Sequence, residues 1–473
     1  MLKKVQGLLK GIRNNEYALA SLWYVVASVI GQGMVLLSSG LFTRMMSKAD
    51  YGMVSTYSTW ALIVNAFICL NLFITIRNAY VDFKDDFDQF NSSIMILGII
   101  VGGTLTIIAS IVAYCIGKEL LMLQVGFVCL QSIGLNLVNM KLTIQAMRVQ
   151  YKNRFWLLIL PNFFHIVLSI VLIKVFPEDM YIAKIAGNAI GLLMFGIIAA
   201  VSIAHLSSPK IIAKYWKYAM NISVPAIFHT LSDLLLMQCD RLMLTAMAGP
   251  TETAEYSIIY NVGSIIVIVY QAINGAWVPW FFGKLAENSK EIIRKYQKGY
   301  LFAFTVLTCA VMTVSPELVK IISAKSYWGG ISYVAPIIVA SYFIFLYSFF
   351  TSFLLFKKRT RIVAVNTMIV AALNIGLNYL YIPKYGPIGA VIATLISYVV
   401  LFVLHLISVI KDGRLFFAFG HIALSCLLVI IYGGLFGFLK EIIWARYLLF
   451  IVYCTLIYLL SGRRILKDIR SKQ

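Results

Sequence analysis

From near its start to near its end, the chain alternates long apolar runs with short polar segments. A helix needs roughly 20 apolar residues to cross the hydrocarbon core of a bilayer. Runs of that length predict about fourteen transmembrane helices, at 20–43, 53–77, 93–117, 119–141, 155–176, 180–206, 217–247, 254–282, 299–323, 331–356, 361–382, 386–410, 416–438 and 442–461. Lipid cannot satisfy free backbone polar groups, so a spanning segment is a helix or a strand of a closed barrel. The runs are continuous, unlike the alternating segments of about ten residues that build barrels. The expected fold class is an all-α integral membrane protein.

Composition agrees, with 61% hydrophobic and only 12% charged residues. The net charge of +21 would suggest a nucleic-acid partner if it were continuous, but the bases sit in short clusters between apolar runs. That distribution predicts no nucleic-acid partner and cytoplasmic loops facing anionic membrane lipids. With the N-terminus inside and bases at span ends counted with the adjoining segment, the cytoplasmic segments hold 29 Lys and Arg, the outer segments 9, Arg446 among them, and the span interiors 2, Lys184 and Arg241. The bias supports cytoplasmic N- and C-termini and the span count together, because one missed helix would invert every later loop. Among Lys3, Lys4, Lys10 and Arg13, the residues Val5, Leu8, Leu9 and Ile12 recur at helical spacing. Residues 1–19 are therefore expected to form a cytoplasmic amphipathic segment before a retained first span. The seven cysteines all lie in apolar runs without a CxxC pair, so neither a metal site nor a disulfide is expected.

Short loops narrow the function. There is no GxxxxGK[ST] motif to bind a nucleotide, so ATP is not expected to drive the chain directly. Outer segments such as Gly249-Pro250-Thr251 are bare turns, which weighs against a membrane glycosyltransferase or polymerase, and no enzyme is expected. A faint internal repeat is visible. Arg154 opens a span that ends at Pro177, Arg361 opens one that ends at Pro383, and a small-residue-rich helix follows each. Six helices per copy predict two parallel halves related by an axis along the membrane normal. The expected organisation is 1–19, an N-lobe over 20–206, a C-lobe over 207–411, and an appended helix pair with a cytoplasmic tail over 412–473.

Charges at membrane depth cost at least about 2.5–3.5 kcal/mol each near the centre, so those present need a reason. In the seventh span, His229, Asp233 and Asp240 fall on one helical face, with Arg241 at its edge. This face lines a cavity as a cation, proton or headgroup site, or it forms a structural network in which Arg241 pairs with an aspartate. Pro225, one turn before His229, removes a backbone hydrogen bond and is a candidate hinge. Arg44, at the end of the first span, marks an outer mouth or snorkels to the interface. Lys184 lies one turn inside the sixth span and can reach either the interface or a cavity. His165, near the middle of the fifth span, reads more simply as a hydrogen-bonded neutral histidine. Lys141, Arg148, Lys152 and Arg154 gather at the inner ends of spans four and five, as positive-inside residues or as a capture site for an anionic headgroup. Asn65, Asn136, Asn139, Gln271, Asn274, Asn374 and Asn378 could bond sugars, although such amides more often join helices.

Three stretches carry a family resemblance. GLFTRMMSKADYGMVSTYS (40–58), CDRLMLTAMAGPTETAEYSIIYNVGS (239–264) and NIGLNYLYIPKYGPIGAVIATLISY (374–398) resemble segments of polysaccharide flippases in the multidrug/oligosaccharidyl-lipid/polysaccharide exporter superfamily. Trp277-Val278-Pro279-Trp280 fits as well, and the likeness covers about 20–410. Thr245-Ala246-Met247 departs from it, where relatives often carry a Gly-aromatic pair. The resemblance implies two six-helix lobes around a V-shaped cavity, as in drug/cation antiporters of that superfamily. It implies a flippase moving an undecaprenyl-diphosphate-linked oligosaccharide repeat unit, of O-antigen, capsule or exopolysaccharide type, across a bacterial inner membrane. A polysaccharide polymerase and chain-length machinery would then be partners. No cofactor is expected beyond a coupling ion, H+ or Na+. A cation/drug antiporter is the alternative, and an acid-rich cavity with few bases would favour it.

Overall fold

The computed structural model describes residues 16–117, 119–413 and 415–459, and the side chains of His229 and Asp233 lie outside what it describes. The predicted amphipathic segment over 1–19 falls almost wholly outside the described residues, as does the basic tail. Every described element is helical. We number the α-helices α1 Glu16–Met45, α2 Lys48–Ile68, α3 Thr75–Asp82, α4 Phe87–Cys115, α5 Glu119–Met147, α6 Tyr151–Val175, α7 Met180–Ala204 and α8 Ala213–Met247. They continue as α9 Pro250–Gly263, α10 Ile265–Ala286, α11 Lys290–Ile322, α12 Val334–Phe356, α13 Thr360–Tyr385, α14 Pro387–Gly413, α15 Phe419–Leu439 and α16 Ile443–Ile457.

Among the described residues, eleven helical runs are long and apolar enough to cross a membrane, or thirteen if two bent pairs each make one span. The expected fourteenth is α16. Its 15 described residues reach about 22 Å, short of the hydrocarbon core. One bend, of 63°, separates α2 from the short 3₁₀ turn and α3. Its cause is local: Leu70 and Asn71 both adopt left-handed backbone, with φ of 51° and 48°. The turn between α8 and α9 is also built from its residues. Gly249 takes φ of 100°, Pro250 starts α9 where its missing N–H is no loss, and the Thr245 and Thr253 hydroxyls bond at 2.7 Å across it.

The chain divides into two compact units, Met1–Gln238 and Cys239–Gln473. The division falls inside α8, whereas the sequence reading placed it before that helix. The early turns of α8 are fastened to the first unit, where the Trp216 indole donates to the Ser93 carbonyl at 3.0 Å and Tyr218 bonds Asp82. Tyr215 and Ala219 join Phe87, Phe90, Ile94 and Met140 in that unit's core.

In the first unit, glycines let helices meet backbone to backbone. A Cβ on Gly134 of α5 would lie 2.6 Å from the Leu192 carbonyl and Leu193 Cα of α7, and one on Gly196 of α7 would lie 2.5 Å from Gly134 Cα. Gly187 and Gly191 bring α7 equally close to Ser169 and His165 of α6. Packing of this kind drives association where lipid supplies no hydrophobic force.

In the second unit, α12 is buried along most of its length, and α11 carries α15 and α16. Arg446 of α16 is 1% exposed and forms two hydrogen bonds to Glu317 of α11, at 3.0 Å and 2.5 Å. By the charge bias alone Arg446 is an outer loop base. The charge is instead what fastens the short last helix.

Candidate functional site

The densest polar constellation lies in the second unit, where the last turns of α8 meet α9, α13 and α14. Asp240 is only 2% exposed. One carboxylate oxygen accepts hydrogen bonds from the Tyr256 hydroxyl and, at 3.3 Å, from Thr394; the other accepts the Arg241 backbone N–H at 3.2 Å. The Arg241 guanidinium stands over the Tyr260 ring, 5.0 Å from its centre. Next to Asp240, Cys239 donates to Asn374 Oδ1 at 3.3 Å. Asn378 Nδ2 donates to the same oxygen at 3.0 Å, and Asn374 Nδ2 donates to Ser397 Oγ at 3.2 Å. Asn378 Oδ1 remains buried with no hydrogen-bond partner.

A carboxylate beside amide and hydroxyl oxygens is a donor set for a hard cation, or for a proton on the carboxylate itself. Buried acceptors without donors are rare in folded proteins and cost about 1–3 kcal/mol each. Asn378 Oδ1 is such an acceptor, and a positive ligand would satisfy it. The residues come from two of the motifs read in the sequence. The segment 239–264 supplies Asp240, Arg241, Tyr256 and Tyr260, and 374–398 supplies Asn374, Asn378, Thr394 and Ser397. Tyr256, Thr394 and Ser397 were not singled out from sequence, although they stand inside those motifs.

The other sequence candidates do not gather here. His229 and Asp233 belong to α8, but their side chains lie outside the described residues. Pro225 is carried within α8, and the helix bends by 50° near position 233, two turns further on. Arg44 donates back to the Gly40 carbonyl at 2.5 Å. Lys184 is held inside its own helix group. It is 6% exposed, with Nζ donating to Asn188 Oδ1 at 2.8 Å and Ser169 Oγ at 3.4 Å and standing 4.0 Å from the centre of the Phe42 ring. His165 Nε2 lies 3.3 Å from Asn162 Oδ1. The inner basic group is divided: Arg148 pairs with Asp88, Lys141 donates to the Ser202 carbonyl at 3.3 Å, Arg154 stacks on Tyr24, and Lys152 is exposed.

Comparison with known proteins places this geometry. A 24% identical relative, the Lsg locus putative protein 1 of Haemophilus influenzae (strain ATCC 51907 / DSM 11121 / KW20 / Rd), matches over 183 residues, 37% of this chain and 45% of that protein. The match thus spans less than half of the relative. The structure of lipid II flippase MurJ in an inward closed conformation superposes with a TM-score of 0.68 at 15% identity, covering 93% of this chain and 98% of that one. An outward-facing multidrug resistance MATE family transporter of the MOP superfamily superposes with 0.55 at 15% identity, covering 84% and 96%. These two likenesses establish the fold. The family model for polysaccharide biosynthesis proteins matches residues 20–283, more than half of the chain, and the chain belongs to that family.

Proposed function

We propose that the chain is a flippase that moves an undecaprenyl-diphosphate-linked oligosaccharide repeat unit from the cytoplasmic to the periplasmic face of the inner membrane. Family membership and the flippase-like fold support this reading. The observation that carries the energetics is the buried Asp240 carboxylate with its ring of oxygen donors. Binding a proton or Na+ there neutralises a charge inside the bundle. A cation moving down its gradient would then bias one conformation over another, and one charge crossing 100 mV is worth about 2.3 kcal/mol. The planar guanidinium of Arg241 matches the oxygens of a diphosphate.

The test is reconstitution into vesicles with a fluorescent undecaprenyl-diphosphate sugar, with and without an imposed proton or sodium gradient. Gradient-dependent movement above empty vesicles is expected. Expulsion of cationic dyes without movement of the lipid-linked sugar would overturn the reading in favour of an antiporter, which the likeness to a multidrug transporter supports.

A further inference from the structure

A second set of buried polar atoms runs along α14 beyond Thr394, and the site described above does not use it. On α14, Thr394, Tyr398, His405 and Ser408 follow one another at spacings of four, seven and three residues, which keeps them on one face. That helix packs against α12 and α13. Tyr260 and Tyr256 lie with ring centres 5.8 Å apart, so the Asp240 site reaches Tyr260. Tyr398 is in electrostatic contact with both Tyr260 and Tyr347 of α12. The Tyr347 ring in turn lies 5.5 Å from that of His405, centre to centre. At the far end Asn366 donates to Ser408 Oγ at 3.2 Å, one turn before Asp412 and its ion pair with Arg359.

His405 is 0% exposed, and its Nδ1 lies 2.9 Å from the Leu401 carbonyl. A carbonyl only accepts, so Nδ1 carries the hydrogen and Nε2 presents its lone pair. That lone pair has no partner, and neither do the buried hydroxyls of Tyr398 and Thr351. Three orphaned polar atoms between α12 and α14 are where internal water belongs.

We infer that the second unit holds a water-bridged proton path from the 356–360 end of the bundle through His405, Tyr347 and Tyr398 to Asp240, making the proton the coupling ion. The inference rests on Asp240 being the coupling site. A proton from water adds to His405 Nε2 and leaves it for the next water. Each tyrosine hydroxyl accepts one proton as it passes on another, and the Asp240 carboxylate takes up the last. His405 is an imidazolium while it holds the proton, each tyrosine stays neutral, and the aspartate ends the transfer without its charge. Among the described residues, the titratable group facing His405 from α12 is Tyr347; α13 presents uncharged Asn366 nearby. Asp240 and Arg241 stand at one end of the path and the Arg359–Asp412 ion pair at the other.

The full chain in phosphatidylethanolamine/phosphatidylglycerol vesicles, with a lumenal pH dye and an imposed proton gradient, reports proton movement directly. The expected pattern is protein-dependent flux that Asp240→Asn abolishes, His405→Phe slows about a hundredfold and His405→Gln slows less, since an amide still holds water. Wild-type flux in both His405 variants, with Asp240→Asn inactive, would overturn the path and leave the coupling site standing. Sodium movement without proton movement would overturn the proton assignment and leave the carrier reading intact. Brief X-ray hydroxyl-radical labelling of the unmodified protein needs no variant to fold. Tyr398 and His405 should be oxidised faster than equally buried Tyr432, and equal rates would overturn the internal water.

Discussion

Glu317→Gln and Arg446→Met each break the same ion pair, and the structure predicts that they differ in cost. The Arg446 side chain is 2% exposed and that of Glu317 is 34% exposed. In Glu317→Gln the guanidinium stays buried with its full charge and keeps the Thr313 carbonyl, 2.8 Å away, as its remaining strong acceptor. An uncompensated charge of this kind costs about 3–5 kcal/mol. In Arg446→Met the buried charge leaves with its partner, a flexible thioether fills the space of the arginine stem, and Glu317 turns to water. The loss is then two or three charge-assisted hydrogen bonds, offset by a desolvation no longer required, or about 1–2 kcal/mol net. The expected gap is about 2 kcal/mol, close to a thirtyfold difference in how often α16 leaves α11. Cys309 reads this opening: it is 0% exposed on α11 and close to Cys454 of α16. With Cys309 as the sole cysteine, its rate of reaction with a membrane-permeant maleimide in intact membranes should be highest in Glu317→Gln. Equal rates, or a faster reaction in Arg446→Met, would refute the claim that Arg446 is a buried charge dependent on Glu317.

Other substitutions probe the rest of the molecule. Gly134→Ala should lower thermal stability in detergent by about 1–3 kcal/mol, because the added methyl meets α7 backbone and not a movable side chain; an unchanged melting curve would contradict the close approach. Arg241→Ala and Asp233→Asn should each impair sugar-lipid movement in vesicles while normal amounts of protein reach the membrane, and wild-type rates in both would leave that face a structural role. Tyr256→Phe removes one of the hydrogen bonds to Asp240 and keeps the carboxylate, so it should weaken the dependence on the ion gradient without abolishing transport as Asp240→Asn does. Lys184→Met should cost less than about 1 kcal/mol in a thermal assay, since it removes a buried cation held by neutral groups and an aromatic face.

The class of the fold was legible because hydrophobic run length is a direct requirement of the bilayer, and eleven of the expected spans, or thirteen with the two bent pairs, lie where the runs are among the described residues. The break after Ile68 was not legible, because nothing in composition marks Leu70 and Asn71 as left-handed. The role of Arg446 was hidden for a similar reason. A charge near the end of an apolar run looks like a loop base until its partner, distant in sequence, is seen. The site was half legible. Asp240 and Arg241 stood out as charges in a span, whereas Tyr256, Thr394 and Ser397 are ordinary residues in membrane helices and gain meaning only when four helices converge. Lys184 shows the opposite limit: its placement followed from periodicity, but its seat beside Asn188, Ser169 and Phe42 did not.

The crossing of α5 and α7 bears on how far such chains can diverge. A methyl on Gly196 would meet the Gly134 backbone and one on Gly134 would meet the α7 backbone at Leu192 and Leu193, so neither position can be enlarged without moving a helix. Drift at this crossing has no stepwise route, while a polar contact such as that of Thr245 with Thr253 can be exchanged for another pairing. Between chains that share this fold at 15% identity, an absence of volume at such a crossing is the trait expected to persist. An alignment anchored on paired small residues should then hold its register in stretches where shared chemistry has been lost.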